Sequence, residues 1–170
     1  MINRISTAVA LFLLLSLAGR SQVSVTAQAY AEVMEALSAA ETSQMNFGRF
    51  STLMNGGQVI LSPSGERISQ GAVMLNGGFA QPGIFTVTGA PDASFTIQLP
   101  QGPALLMHQG SNKTMTVDAW ASDPPAGNGN IILQQGQETV SIGATLQVGP
   151  IEDNPVGMYT GSFSLTFAYN

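Results

Sequence analysis

The chain has no cysteine and, among its 170 residues, a single histidine and a single tryptophan. Without cysteine there are no disulfides, so packing and strand ladders must hold the fold together. A structural zinc site needs about four His or Cys ligands, which this composition cannot supply. A Cys–His catalytic pair is excluded in the same way.

Charge is also scarce, since Asp, Glu, Lys and Arg make up only 9% of the residues. From Gln22 onward, three basic residues stand against ten carboxylates, which leaves a net charge of −7. A nucleic-acid-binding surface requires a cluster of Lys and Arg, and three basic residues do not form one. The composition therefore excludes nucleic acid as a partner.

The first 21 residues are typical of a secretory signal peptide. Arg4 precedes an apolar run from Ala8 to Ala18, which is too short to span a bilayer as a helix. Cleavage near Ser21 or after Ala29 fits the small residues at both places, and we favour the earlier site. We therefore expect export to the periplasm, the cell surface or the medium, with no transmembrane segment after cleavage.

The rest of the chain consists of short apolar alternations separated by turn residues. These include three Asn-Gly pairs that favour tight hairpins and a predicted turn at Pro63-Ser64-Gly65. About eight or nine strands at such short intervals predict an all-β fold, an immunoglobulin-like antiparallel β-sandwich formed as one domain by residues 45–170. The predicted strands cover residues 58–62, 68–75, 84–88, 94–99, 113–121, 131–134, 138–148 and 157–170.

The last of these predicted strands has the strongest pattern. Its apolar side consists of Gly157, Tyr159, Gly161, Phe163, Leu165, Phe167 and Tyr169. Hydroxyl and small side chains alternate with them, as expected of a strand with one apolar face. Such a strand must be paired and its aromatic face covered before the fold is stable, which suggests a function in assembly.

Residues 22–44 are predicted to form an extension that precedes the sandwich. A period of two is formed by Val23, Val25, Ala27, Ala29, Ala31 and Val33. This pattern favours a strand over residues 23–33. The spacing of Tyr30, Val33, Met34 and Leu37 also fits a helix, and the sequence leaves both alternatives open.

Two single residues are candidates for a binding or catalytic site. His108 has no carboxylate near it in sequence, so we interpret it as a loop histidine with satisfied hydrogen bonds rather than a catalytic base. Trp120 lies in an alternating segment, where a core aromatic is favoured over a platform for sugar stacking. We expect no catalytic residue and no enzymatic activity.

Two pairs of carboxylates, Asp118 with Asp123 and Glu152 with Asp153, are candidates for a Ca²⁺ site. Neither has the dense Asp, Asn and Gly spacing of a calcium loop, so we interpret them as solvated charges in turns. We expect neither a metal site nor a bound cofactor.

Four blocks of the sequence together resemble the bacterial family of unknown function DUF 4402: residues 45–48, 56–63, 143–148 and 157–170. The resemblance covers roughly residues 23–170. It implies an exported single-domain β-sandwich from a Gram-negative bacterium, and it implies no particular activity.

A more distant resemblance is to the subunits of chaperone–usher pili, which is carried by Gly157 and the penultimate Tyr169 of the last predicted strand. In that family a periplasmic chaperone pairs with the terminal strand, and an alternating N-terminal extension of one subunit later fills the groove of the next. The resemblance implies that the alternating residues 23–33 act as the donor strand.

Two functions are consistent with these patterns. The first is a pilin-like subunit of a surface fibre or cell-envelope assembly, linked by β-strand complementation to copies of itself or to related subunits. The alternative is a self-complete secreted β-sandwich that binds a glycan or a protein through loops around Trp120 or His108.

Overall fold

A computed structural model describes residues 22–52, 54–71, 73–74, 78–127 and 130–170, with only the backbone described at residues 73 and 74. The predicted signal peptide, residues 1–21, lies outside the described residues. Two of the three Asn-Gly pairs, at 76–77 and 128–129, lie outside them as well.

The described residues form strands and loops, and among them there is no helix long and apolar enough to cross a membrane. The strands are β1 (Ser38–Ser43), β2 (Phe50–Ser51), β3 (Gly57–Leu61), β4 (Arg67–Gln70), β5 (Val73–Met74), β6 (Gly83–Thr88), β7 (Ser94–Gln98), β8 (Ala104–His108), β9 (Thr114–Asp123), β10 (Ile131–Ile132), β11 (Gln137–Val148), β12 (Tyr159–Thr160) and β13 (Thr166–Tyr169).

The larger sheet is built around the long strand β11. Its main path runs β1-β6-β11-β9-β8-β12, and all the pairings are antiparallel. On the side away from β9, β11 pairs first with β6 and then with β3, which in turn pairs with β4. One long strand therefore joins two groups of shorter strands into one sheet.

The second sheet has the order β10-β7-β13, and its apolar side chains share a core with the larger sheet. Phe95 and Ile97 of β7 are buried with Val140 and Ile142 of β11. Two antiparallel sheets that share a buried core form a β-sandwich, so the predicted fold class is confirmed. A short third sheet pairs β2 with β5.

A second buried cluster lies at the other end of β11. Leu146 and Val148 pack with Val59 of β3 and Val117 of β9. Phe47, in the loop after β1, is buried in the same cluster. Each end of β11 thus has its own core, which explains why this strand is buried along most of its length.

The hairpin between β3 and β4 follows the predicted turn at Pro63-Ser64-Gly65. The amide of Gly65 donates to the carbonyl of Ser62 over 3.0 Å. Gly65 has a φ of 85°, in the region that favours glycine. This turn prediction is confirmed.

The strand predicted over residues 157–170 is divided in the structure. β12 pairs with β8 in the larger sheet, whereas β13 pairs with β7 in the second sheet, and residues 161–165 between them belong to no strand. The segment leaves the larger sheet at Gly161, where a Cβ atom would overlap the carbonyl oxygen of Leu105. The alternation of side chains continues across this change of sheet.

Residues 22–37 contain neither the predicted strand over residues 23–33 nor the alternative helix. An isolated strand has no partner for its backbone amides and carbonyls, so alternation alone does not form one in the single chain. Residues 38–43, predicted to be part of the extension, form β1 and pair with β6. The compact unit that contains the sandwich runs from Met34 to Asn170.

Candidate assembly surface

β13 lies at one edge of the second sheet, next to the half-buried apolar side chains of the last segment. On one side β13 pairs with β7, with Thr166 opposite Gln98 and Tyr169 opposite Phe95. No other strand among the described residues pairs with the opposite side of β13. An edge of this kind is a template for an additional strand.

The alternating residues of the last segment present one apolar face. Phe163, Leu165, Phe167 and Tyr169 are half-buried, whereas the residues between them are exposed. All four pack against the core shared by the two sheets. This face therefore forms the rim of the core and keeps part of its apolar area in contact with solvent.

Aromatic contacts connect this rim to the interior. The ring of Phe85 lies 6.3 Å from that of Phe163 and 6.4 Å from that of Phe167, measured between centroids. Phe167 is also 6.3 Å from the fully buried ring of Phe95. These distances are within the range of favourable aromatic pairs, so the rim is held in a defined arrangement.

An open depression of about 450 Å³ lies beside the segment that leads into β13. Its walls come from the loop after β7 and from the residues around Phe163. They are Gln98, Leu99, Pro100, Gln101, Gly102, Pro103, Ala104, Ser162, Phe163, Ser164 and Thr166. The depression thus has a mixed polar and apolar lining and extends from the segment before β13 toward the loop after β7.

Trp120 is half-buried and contacts the loop between β7 and β8. Its indole N–H donates to the carbonyl of Gly102 over 3.1 Å, and its ring packs against that of Phe163 at a centroid distance of 4.7 Å. Ala119, before it, has a φ of 47° at an irregularity in the pairing of β9 with β11. The contacts of Trp120 fit the core interpretation rather than that of an exposed stacking platform.

His108 is held by its neighbours at the end of β8. Its Nδ1 accepts a hydrogen bond from the amide of Gly110 over 3.0 Å and lies 2.9 Å from the hydroxyl of Ser111. Its Nε2 lies 3.2 Å from the carbonyl oxygen of Val156. These contacts fit the interpretation of His108 as a satisfied loop histidine.

Tyr159 stacks edge-on against His108, with 4.9 Å between the ring centroids, and its hydroxyl donates to the carbonyl of Pro155 over 2.8 Å. Burial raises the pKa of this hydroxyl, while the side chain of Asn154 and the charge of Lys113 oppose the shift. These contacts hold Tyr159 on β12 in the larger sheet. The open edge of β13 belongs to the second sheet.

The predicted carboxylate pairs do not converge on a common site. Asp118 accepts a hydrogen bond from the side-chain amide of Gln147 over 3.0 Å. Asp153 forms an exposed ion pair with Lys113 at 3.0 Å. Within the described ranges, no three His, Asp or Glu side chains cluster as a metal site would require.

The alternating side chains of the extension are exposed. Val23, Val25 and Val33 expose 82%, 84% and 97% of their surface. The alanines between them are exposed as well: Ala27, Ala29 and Ala31. The compact unit that begins at Met34 thus follows a segment whose apolar residues are available for contact with another surface.

The tyrosine hydroxyl at the end of β13 makes two hydrogen bonds that the sequence did not indicate. The Tyr169 hydroxyl donates to the carbonyl of Glu35 over 2.9 Å and accepts from the amide of Ala90 over 2.8 Å. Leu37, two residues beyond Glu35, packs against the same core. The alternation placed Tyr169 on the apolar side of the predicted strand. It did not indicate the hydrogen-bond partners of the hydroxyl.

Residues 37–169 match the family described as Domain of unknown function (DUF4402). A search of the curated proteins gives no significant match.

Proposed function

The chain belongs to the DUF4402 family, and from this premise we propose that it is an exported, pilin-like structural subunit of a surface fibre or cell-envelope assembly. In this assembly, copies of the chain are linked by β-strand complementation. The extension of one copy pairs with β13 of the next. A periplasmic chaperone would cover the same edge before assembly. This role requires no catalysis.

The observation that carries the proposal is the open side of β13 next to a partly exposed apolar rim. A strand added there receives main-chain hydrogen bonds along the edge, while every second side chain contacts the rim. The rim residues Phe163, Leu165 and Phe167 supply the apolar surface for these contacts. The edge of β13 thus offers both the backbone groups and the apolar side chains that an added strand would contact.

The donor is proposed to be the segment that contains Val23 to Val33. Its apolar residues recur at every second position and are exposed. If five or six of them each bury about 40 Å², the total is roughly 200 Å², or about 5 kcal/mol at ~25 cal/mol/Å². Ladder hydrogen bonds add to this value, and the cost of ordering the segment reduces it.

The same alternation fixes the register of the donated strand. A shift by one residue would replace Val25 and Ala27 by Thr26 and Gln28 against the apolar rim. Burying these polar side chains without partners is unfavourable, so one set of registers is selected.

The proposal predicts that Val25→Asp combined with Val33→Asp abolishes polymers while the sandwich still folds. Two carboxylates on the inward face of the donor would lose their hydration against the rim. The matched control is Ser24→Asp combined with Thr26→Asp, which adds the same charge on the opposite face. Polymer length is measured by light scattering and electron microscopy.

Polymers of normal length in the Val25 and Val33 double variant would contradict strand donation by this face. An equal loss of polymers in that variant and in the Ser24 and Thr26 control would contradict it as well. A heat-resistant monomer in the unaltered chain would instead favour a self-complete binding module. In that case the depression beside Phe163 is the first surface to screen with glycans and peptides.

A further inference from the structure

β1 is held in the larger sheet mainly by its backbone. It lies at the edge of that sheet, and among the described residues only β6 pairs with it. The side chains of residues 38–42 are exposed, and that of Ser43 is half-buried. A strand that buries no side chain in the core can leave its sheet at a lower cost than a central strand.

The ladder is irregular where β1 ends. The register with β6 shifts around Thr42. Gln44, which follows the strand, is exposed, and its carbonyl accepts a hydrogen bond from the side chain of Gln81 over 3.0 Å. Regular attachment resumes at Asn46, whose amide and carbonyl both bond the backbone of Gln81. Residues 42–44 therefore offer a hinge at which the chain can leave the sandwich.

Two further contacts fix the chain just before β1. Leu37 is half-buried against the core, and the carbonyl of Glu35 accepts a hydrogen bond from the Tyr169 hydroxyl over 2.9 Å. A second copy offers the same core, the same Tyr169 and the same edge of β6. Residues 35–43 of one copy can therefore form on another copy every contact that they form on their own, which is the condition for exchanging an identical element.

Such an exchange gains no contact by itself, so separate copies keep β1 on their own β6. The proposed donation changes this balance, because two linked copies hold each β1 at a high local concentration near the other copy. Only four residues lie between Val33 and Ser38, and they span at most about 18 Å. On the acceptor, the bond between Tyr169 and Glu35 places the end of β13 near the start of β1. A donor seated at this end of β13 is thus close to the edge of β6.

We propose that neighbouring copies exchange β1, so that Ser38–Ser43 of one copy pair with β6 of the next. This inference rests on the proposed function, because donation is what holds the copies together. The interaction surface is the edge of β6, and its partner is β1 of a second copy in the register of the single chain.

The exchange makes each link between copies longer without changing the number of contacts in the assembly. To separate two copies, the ladder between β1 and β6 must break and Leu37 must leave the core, in addition to release of the donated segment. Slower dissociation of the polymers is therefore expected, since more contacts must break before the copies part.

The test uses the register of the ladder and the absence of cysteine from the chain. Ala40 lies opposite Thr86, and neither residue is buried. Opposite residues of an antiparallel pair have Cα atoms about 4.5–5.5 Å apart, a distance that a disulfide spans. The chain from Gln22 with Ala40→Cys is mixed with the same chain carrying Thr86→Cys, and the mixture is assembled and oxidised. Exchange predicts disulfide-linked dimers with one chain of each kind, which mass spectrometry identifies.

The matched control mixes Ala40→Cys with Thr160→Cys. Thr160 is exposed on β12, which pairs with β8. This mixture measures chance collisions between thiols, so its yield of mixed dimers should be much lower.

The second readout uses one chain that carries both Ala40→Cys and Thr86→Cys. Oxidation of the monomer should join the two cysteines within the chain and lock β1 on its own β6, which also confirms that the variants fold. The extension stays free to be donated, so the locked chain should still form polymers, but these should dissociate faster on dilution. A reducing agent added before assembly should restore the slow dissociation, which light scattering follows.

Polymers that yield no more mixed dimers with Thr86→Cys than with Thr160→Cys would overturn the exchange and leave strand donation standing. Equal dissociation rates of the locked and the reduced chain would overturn it as well. If the unaltered chain forms no polymers, the proposed function fails and the exchange of β1 fails with it. The presence or absence of polymers thus separates the two failures.

Discussion

At the scale of single residues, Gly161 allows the last segment of the chain to pass from one sheet to the other. Its Cα lies so close to β8 that a Cβ atom would overlap the carbonyl oxygen of Leu105 and crowd the side chain of Leu106. A backbone atom cannot move aside as a flexible side chain can. Glycine is therefore required at position 161, because a Cβ atom would overlap the backbone of β8.

We expect Gly161→Ala to destabilise the sandwich by about 1–3 kcal/mol, as is typical when an additional group is forced into a packed region. The substitution would push β12 away from β8 and shift the aromatic rim that follows. Equilibrium denaturation in urea measures the change in the free energy of unfolding.

The matched control for this substitution is Gly102→Ala. A Cβ atom at Gly102 would have no atom within 4 Å, so the change in stability should be small. An equal loss of stability in the two variants would show that general glycine effects, rather than the contact with Leu105, are responsible.

At the scale of elements, the ladder between β13 and β7 determines which backbone groups face the open edge. The amide of Asn170 donates to the carbonyl of Ser94 over 3.1 Å, and antiparallel ladders alternate between hydrogen-bonded and non-hydrogen-bonded pairs. Ala168 therefore directs its backbone groups toward β7, whereas Phe167 and Tyr169 direct theirs toward the open side.

This alternation predicts the hydrogen exchange of neighbouring amides. The amide of Phe167 should exchange rapidly in the monomer and become protected in polymers, where a donated strand accepts its hydrogen bond. The amide of Ala168 should be protected in both states, which makes it an internal control. Exchange is followed by NMR after dissolution of the polymers or by mass spectrometry of short peptides.

Protection of Phe167 in the monomer would mean that the edge of β13 is already closed in the single chain. Rapid exchange of Phe167 in polymers would mean that assembly uses another surface. Either result would contradict strand addition at this edge.

Much of the fold was predictable because most strands are marked by alternation and bounded by turn residues. The predicted strand over residues 138–148 differs from β11 by a single residue, and that over residues 84–88 differs from β6 in the same way. β8 was not predicted, because Ala104–His108 is apolar without a clear alternation and lies next to prolines. The pattern of a strand does not encode its partner, which is why the division of residues 157–170 was not foreseen.

The candidate surface was only partly predictable for a related reason. Period-two alternation identified Phe163, Leu165 and Phe167 as one face. It did not identify Phe85 as the neighbour of Phe163 and Phe167, since these contacts link residues far apart in sequence. The bond from Tyr169 to Glu35 also depends on the tertiary path of the chain.

At the scale of the whole molecule, the proposed donor and acceptor are different surfaces of the same chain. Contacts between unlike surfaces are heterologous, and they extend into filaments unless the rotation between copies closes a ring. The chain from Gln22 has a net charge of −7 and no cysteine, so the links between copies would depend on the ladder and apolar burial.

The most direct measurement is size-exclusion chromatography with light scattering on the chain from Gln22, compared with a chain that starts at Met34 and retains the compact unit. Strand donation predicts concentration-dependent oligomers or fibres from the longer chain and none from the shorter chain. Stable monomers from both chains would contradict the proposed assembly function.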